Sequence, residues 1–297
     1  MKPTVFIDGA EGTTGLQIHQ RLADRSDIEL LTIAPEKRKD VNERKQLLNG
    51  CDLAVLCLPD EAAVEAVSLV ENPAVKVLDA STAHRCKDDW MYGFPELTAF
   101  QTDRIRLAKR VANPGCYPTG FLGLVAPLVT AGLIHAGMSL TCFGLSGYSG
   151  AGKKGIALYE DPDRNPMLDA PRPYGLDFQH KHVAEMHKHS GLMLAPNFTP
   201  IVCDFPQGMQ ICVPLYGVFA EYALQTLARH YEGSKMVKVR LVGTEQFTAN
   251  KLAGRDDMEL YVTGSGERIM LMALYDNLGK GAAGAAVQNL ELMLGLA

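Results

Sequence analysis

Thr4-Val5-Phe6-Ile7-Asp8-Gly9-Ala10-Glu11-Gly12-Thr13-Thr14-Gly15 is a short apolar, β-rich run that breaks into a glycine-rich turn. Leu16 to Ala23 follows with helical spacing, so the stretch reads as strand, tight turn and helix. Glycines at such a turn let the backbone approach a pyrophosphate, which then rests on the N–H groups at the helix start. The spacing is G-x-x-G-x-x-G rather than G-x-G-x-x-G, and glycine turns also occur without ligands. Its place at the head of the first βαβ unit is what points to a dinucleotide. Gly9, Gly12, Thr13, Thr14 and Gly15 are the expected cofactor residues. An ionised Asp8 beside them would repel a phosphate, and spacing and motif give no account of its presence there.

Beyond the turn, Ile28 to Ile33, Leu53 to Leu58 and Val75 to Leu78 read as strands, with an Ala- and Glu-rich helix over Asp60 to Val70. Strands separated by helices of this size predict parallel crossovers and a doubly wound sheet. A cofactor without a 2′-phosphate usually meets an acidic residue at the end of the second strand. Here Thr32-Ile33-Ala34-Pro35 leads into Glu36-Lys37-Arg38-Lys39. Lys37 and Arg38 are therefore expected to hold a 2′-phosphate, which selects NADP; the competing reading is a solvated charged loop.

The rhythm changes after residue 115. Ser139 to Leu145, Leu192 to Cys203, Met209 to Tyr216, Val237 to Val242, Met258 to Thr263 and Ile269 to Tyr275 read as strands, with a strong helix over Glu221 to Tyr231. Consecutive strands predict a largely antiparallel or mixed sheet. The expected organisation is a dinucleotide-binding domain over 1–115, to which 278–297 return, and a catalytic and substrate domain over 116–277.

A length of 297 residues suits two domains, and 47% hydrophobic with 21% charged residues is a globular mixture. A net charge of −5 gives no footprint for nucleic acid. The nearest approach to a membrane span, Phe121 to Met138, is interrupted by Pro127, Thr130 and His135. With a strand beginning at Thr4, no secretory leader is expected. Seven scattered cysteines show neither a disulfide framework nor paired zinc spacing, as expected for a reducing cytoplasm.

Asn113-Pro114-Gly115-Cys116-Tyr117-Pro118-Thr119 carries the chemistry. Pro114 and Gly115 mark a turn, Pro118 suits a first helical turn, and Phe121 to Ala126 carries the helix into a core. Cys116 then sits among unpaired backbone N–H groups at the positive end of a helix, which favours the nucleophilic thiolate. Gln179 to His189 is the densest polar cluster. It lacks the order of a helical zinc motif, and no metal is expected. A general acid/base near neutral pH is expected from His180 or His182, with Glu185 orienting it. His187 and His189 read as a solvated helix start. Ser146-Gly147-Tyr148-Ser149-Gly150-Ala151-Gly152-Lys153 follows a strand, is rich in small residues and donors, and suits an anionic substrate without being a Walker A loop.

Together these stretches resemble the N-acetyl-gamma-glutamyl-phosphate reductase family, in its shorter subgroup. The likeness runs the full length, through N-P-G-C-Y-P-T at 113–119, S-G-Y-S-G-A-G-K at 146–153, K-H-V-A-E-M at 181–186 and the closing N-L-G-K-G-A-A-G-A-A-V-Q-N at 277–289. The resemblance implies an α/β fold: a Rossmann-type NADP-binding domain and an α+β catalytic domain of the glyceraldehyde-3-phosphate dehydrogenase-like kind, with the C-terminal helix packed back on the first. It implies cofactor contacts from Ser81, Gly150 and Asn277, and substrate contacts from Arg85, Asn113, Ser146, Ser149 and Lys153, Arg85 being the anion contact. It further implies NADPH-dependent reduction of a small acyl phosphate in arginine biosynthesis, through a thioester on Cys116, by a homodimer or homotetramer. Longer members carry arginine where this chain has Gln207, so a charge at that point would have to come from Lys153, Arg85 or Arg172. The rival readings are an aspartate-semialdehyde dehydrogenase, with the same chemistry on a shorter substrate, and a non-catalytic NADPH-binding sensor.

Overall fold

The computed structural model describes residues 2–242 and 247–297, which fall into two compact units. The first comprises the chain up to Pro95, then Phe100–Pro114 and Ala282–Ala297; the second comprises Glu96–Ala99 and Gly115–Gly281.

In the first unit the chain runs β1 (Thr4–Asp8), α1 (Thr13–Leu22), β2 (Glu29–Leu31), α2 (Val41–Gly50), β3 (Leu53–Leu56), α3 (Asp60–Leu69), β4 (Lys76–Asp79), β5 (Met91–Tyr92), α4 (Gln101–Leu107) and β6 (Arg110–Ala112). The six strands form a parallel sheet in the order β2-β1-β3-β4-β6-β5. Its central strands are apolar on both faces, as a parallel sheet covered by helices requires. Val5, Ile7, Val55 and Leu78 pack with Ile18 and Leu22 of α1 and with Leu290 and Met293 of the C-terminal helix (Gly284–Leu294). Phe6, Ala54, Leu56 and Val77 point to the other face, against Leu48 of α2 and Ala66 of α3. The chain turns back between β1 and β3, and the crevice at such a switch point is where open α/β sheets bind ligands. The glycine turn lies there: Gly9 has φ +87°, and a Cβ on it would stand 2.4 Å from the Cys57 carbonyl oxygen at the end of β3.

The second unit carries α5 (Cys116–Thr130), β7 (Thr141–Gly147), α6 (Gly152–Glu160), β8 (Arg172–Pro173), α7 (His182–Ser190), β9 (Asn197–Cys203), β10 (Met209–Tyr216), α8 (Ala220–His230), β11 (Val237–Arg240), β12 (Met258–Ser265) and β13 (Arg268–Tyr275). Its sheet is mixed, in the order β11-β12-β13-β10-β7-β9-β8. Among the described residues, only the β11/β12 and β7/β9 pairs are parallel. The predicted strands are present with trimmed ends, the expected helices at Cys116 and over 221–231 stand as α5 and α8, and α6 and α7 join them.

Helix α5 is buried on every side from Tyr117 to Leu128, packed against β10, β13, α7 and α8. An all-apolar helix of this kind belongs in a core. Pro127 within it has no N–H for the Gly123 carbonyl, and the Tyr231 hydroxyl supplies the missing donor at 2.7 Å. The helix thus continues through the proline that interrupts its hydropathy. Leu122 and Leu124 are fully buried in it, and truncating either to alanine removes about 2–5 kcal/mol.

Candidate active site

Gly115 caps α5 in extended backbone (φ −71°, ψ 151°), with no side chain bonded to the helix start. Cys116 is the first helical residue and is half-buried. The Glu185 carboxylate, fully buried on α7, accepts the Gly115 N–H at 2.7 Å. This bond ties Glu185, expected to orient a histidine, to the peptide that precedes the cysteine as well.

His180 lies just before α7 and His182 begins it. Their rings are 4.8 Å apart, and both flank the ring of Tyr117, at 6.0 and 5.8 Å between centroids. The His182 backbone N–H donates to His180 Nδ1 at 3.2 Å. Burial, and then the neighbouring Lys181 charge, push the His180 imidazole below its usual range. His187 and His189 fall in the last turn of α7 rather than at its start, where cationic side chains favour the helix dipole.

Two phenols complete this surrounding. The Tyr174 hydroxyl donates to that of Tyr117 at 3.3 Å. Burial first, and proximity to Cys116 as well, hold Tyr117 well above and Tyr174 at about 12, so both stay protonated. The other cysteines differ in kind. Burial pushes Cys51 and Cys212 up to about 11, Cys57 to about 12, and Cys142 and Cys203 upward too, whereas Cys86 is exposed.

A second cluster gathers the Ser146–Lys153 loop. Asn277 donates to Ser149 Oγ at 2.9 Å and accepts the Gly208 N–H at 2.9 Å, beside Gln207. A Cβ on Gly150 would meet Asn277 and Ser146 Oγ at 3.4 Å, and Ser146 Oγ itself donates to the Gly147 carbonyl. Lys153 is exposed in the first turn of α6, where the helix dipole disfavours a cation. Arg172, by contrast, is engaged with the Tyr159 hydroxyl at 3.1 Å. Lys280, fully buried, pairs with Glu96 at 2.8 Å; sequence reading gave no sign of that bond.

In the first unit, Asp79 accepts from Ser81 Oγ at 2.7 Å and bonds His84 Nδ1 at 2.6 Å. His84 stacks on Trp90 with ring centroids 4.0 Å apart. Arg85 follows directly and donates to the Ala80 carbonyl at 2.9 Å. Asn113 is buried and engaged at both ends of its amide, donating to the Ala282 carbonyl and accepting from Asn289, each at 3.0 Å. Asp8 has its compensation in buried Arg44, which donates from Nε at 3.1 Å and Nη2 at 2.9 Å.

The glycine turn fits a dinucleotide. Helix α1 has no capping side chain at Gly12, a Cβ on Gly15 would stand 2.4 Å from the Gly9 carbonyl oxygen, and Thr13 Oγ1 is buried without a hydrogen-bond partner. Thr14 follows in the same first turn. A cavity of about 200 Å³ beside it is lined by Ala10, Leu30, Ile33, His19 and Arg38. Arg38 reaches Glu11 at 2.9 Å, and Lys37 pairs with Glu43, so both cations already have partners. Among the described residues no group of three or more His, Cys, Asp or Glu side chains is placed to hold a metal, and no helix is long and apolar enough to cross a membrane.

Residues 4–105 match the semialdehyde dehydrogenase NAD-binding domain, and residues 116–277 the semialdehyde dehydrogenase dimerisation domain. The chain is 49% identical over 306 residues to the N-acetyl-gamma-glutamyl-phosphate reductase of Sinorhizobium fredii, covering 99% of each. It is 49% identical over 314 residues to N-acetyl-gamma-glutamyl-phosphate reductase 2 of a Nostoc species, covering 99% of this chain and 98% of that one. Among solved structures, aspartate semialdehyde dehydrogenase II from Vibrio cholerae superposes with a TM-score of 0.78 at 19% identity over 99% of both chains. Aspartate semialdehyde dehydrogenase with NADP from Candida albicans superposes with a TM-score of 0.70 at 15% identity over the whole of both. The two domain matches confirm the expected fold class, and the near-full-length identities place this chain in the N-acetyl-gamma-glutamyl-phosphate reductase family of semialdehyde dehydrogenases.

Proposed function

We propose that this protein reduces N-acetylglutamyl 5-phosphate to N-acetylglutamate 5-semialdehyde and inorganic phosphate with NADPH, a step of arginine biosynthesis. The observation that carries this reading is Cys116 at the uncapped start of α5, with two imidazoles against the neighbouring ring. The Cys116 thiolate attacks the acyl carbon and expels phosphate, leaving a thioester on Sγ. Bound NADPH, held by Gly9, Gly12, Thr13, Thr14 and Gly15 with Arg38 toward its 2′-phosphate, supplies the hydride. Each tetrahedral oxyanion forms beside the Cys116 N–H at the helix start. The alkoxide left by hydride addition takes a proton from an imidazole to give a neutral thiohemiacetal; as the C–S bond breaks and the aldehyde leaves, Sγ keeps the bonding pair and the hydroxyl proton returns to that imidazole.

We assign that proton traffic to His182. The Nδ1 lone pair of His180 is already used by the His182 N–H, so a neutral His180 carries its proton on Nε2 and lacks an open basic nitrogen. Arg85 and Lys153 are the cations offered to the anionic groups of the substrate, with Ser146 and Ser149 as hydroxyl donors. Lys37 is a weaker candidate for the 2′-phosphate than Arg38, since it is bonded to Glu43 and does not line the cavity. The Asn113 side chain donates to the Ala282 carbonyl and accepts from the Asn289 side chain, which favours a framework role for it over a substrate contact.

Assembly uses the second unit. On the face of its sheet away from α5, Pro214 and Tyr216 are exposed and Phe143, Leu145 and Met270 half-exposed, an apolar surface suited to a homodimer. Light scattering on the purified protein distinguishes a dimer from a tetramer. All seven cysteines are free thiols, which suits a reducing cytoplasm.

Phosphate release measured with N-acetylglutamyl phosphate and with aspartyl phosphate tests the substrate. Turnover of the first alone supports the proposal; preference for the second makes the protein an aspartate-semialdehyde dehydrogenase. NADPH binding without turnover of either leaves the sensor.

A further inference from the structure

The Tyr275 hydroxyl, at the end of β13, occupies an unusual place. It donates to the Cys116 carbonyl at 2.6 Å and accepts the Gly120 N–H at 3.1 Å. Those two groups are the acceptor and donor of the ladder bond that follows the first one, from the Thr119 N–H to the Gly115 carbonyl, so one phenol straddles the turn that carries the cysteine. The ring reaches this position because two glycines make room for it. A Cβ on Gly120 would stand 2.7 Å from Tyr275 Oη and Cε1, and one on Gly281 would stand 3.4 Å from Cε2 and 3.1 Å from the Cys116 Cβ. Tyr275 is fully buried, and burial holds its phenol well above the usual range, so it donates at every working pH.

We infer that Tyr275 is a positioning residue for the nucleophile, its hydroxyl setting the orientation of the Cys116 peptide and hence the direction of Sγ. The inference rests on Cys116 being that nucleophile. Its physical content is a contrast with Tyr231, which performs a similar bond further along α5. There the phenol replaces an N–H that Pro127 lacks, and the bond is needed for the helix itself. At Cys116 no proline intervenes: Gly120 has its N–H, and the helix could close its first turn without help. The extra bond therefore acts on where the first residue points, not on whether the helix forms. Neither the bond nor the two glycines that admit the ring belong to the nucleotide-binding turn, so removing the hydroxyl leaves cofactor affinity unchanged.

The test is Tyr275→Phe beside Cys116→Ser, read by steady-state kinetics, NADPH binding and the pH dependence of Cys116 alkylation by iodoacetamide. For Tyr275→Phe, kcat falls about 10- to 100-fold, as displacement of a reacting group by a fraction of an ångström does, while KM and NADPH affinity stay within about twofold. The alkylation profile moves to higher pH, because the sulfur leaves the helix axis where the dipole stabilises its charge. A merely structural role would lower the melting temperature and leave that profile in place. Wild-type kcat and profile in a folded Tyr275→Phe overturn the inference. If Tyr275→Phe does not fold, Gly120→Ala decides by the same readouts, since its methyl displaces the hydroxyl; an unchanged alkylation profile there also overturns it. Substantial turnover by Cys116→Ser overturns the nucleophile reading itself, whereas an inactive Cys116→Ser with an unperturbed Tyr275→Phe removes only the positioning role.

Discussion

Two helix starts divide the chemistry of this chain. Helix α1 opens at Gly12 with φ −69° and ψ 163°, and α5 opens at Gly115 with φ −71° and ψ 151°; neither has a capping side chain. Both follow a parallel strand, and both leave the positive end of a helix open to an anion. They differ in what is placed around the opening. At α1 the neighbouring carboxylate, Asp8, is neutralised by Arg44, and Thr13 Oγ1 is left without a partner, as a site for a phosphate needs. At α5 the Gly115 N–H is taken by the Glu185 carboxylate, and the helix begins with a sulfur of its own. On the proposed reading, one start receives a charge from outside and the other stabilises a charge it carries, tempered by a nearby negative group.

The largest effect separates the two starts outright. Cys116→Ser replaces the thiolate with a hydroxyl that is not ionised at neutral pH, and turnover falls by a factor on the order of 10⁴ or more, the scale of losing a covalent nucleophile. NADPH binding, measured by fluorescence titration, stays close to the parent. A joint loss of turnover and binding would show that the two starts are not independent devices.

Gly12→Asp is the converse. A carboxylate there caps α1 and meets the pyrophosphate with like charge, which costs several kcal/mol, so the NADPH dissociation constant rises about 100-fold or more. Alkylation of Cys116 by iodoacetamide proceeds at the parent rate. That labelling also sharpens the difference among the cysteines: five have thiols raised by burial, so exposed Cys86 is the competitor to count by mass spectrometry.

What could be read without coordinates follows the range of each constraint. The glycine turn, the strand before it and the helix after it are set by neighbours within a dozen residues, and they stand where the spacing placed them. Helix α2 was invisible because Val41–Gly50 is mostly polar and buries only Arg44 and Leu48. Strands β5 and β8 are two residues long, too short for any period to show. The site divides in the same way. The place of Cys116 at a helix start was legible from local turn chemistry, whereas the partner of Asp8 lies 36 residues away, that of Gly115 lies 70 away and that of Cys116 O lies 159 away. The cations of Lys37 and Arg38 were legible as charges, but their pairing with Glu43 and Glu11 was not. Sequence reports charge and spacing well; it does not report which distant group has already claimed a polar atom.

Glu185→Gln examines the negative group at the second start. Its carboxylate opposes a thiolate at the same helix end, so removing the charge lowers the Cys116 thiol pKa, by about half a unit at dipole-scale energies of 0.3–1 kcal/mol. Alkylation below pH 8 then speeds up by a factor of about two to three. A profile shifted to higher pH instead would mean that the Gly115 bond, which glutamine holds less tightly, matters more than the charge.

The smallest effect is on stability and comes from the imidazole beside that start. Burial lowers the His180 pKa below its value in the unfolded chain, about 6.5. Between the folded and unfolded values the unfolded state binds more protons, so stability rises with pH across that window. The contribution is fully present above about pH 6.5 and is lost as the pH falls through the lowered folded value. Thermal melts from pH 7.5 to 5 should therefore fall more steeply for the parent than for His180→Asn, which has nothing to protonate there. Protonation would also have to occur at Nδ1, where the His182 N–H already donates, so the cost of charging His180 includes the loss of that bond at the head of α7. Parallel slopes for the two proteins would place the acid sensitivity elsewhere and would reopen the choice of His182 as the proton carrier.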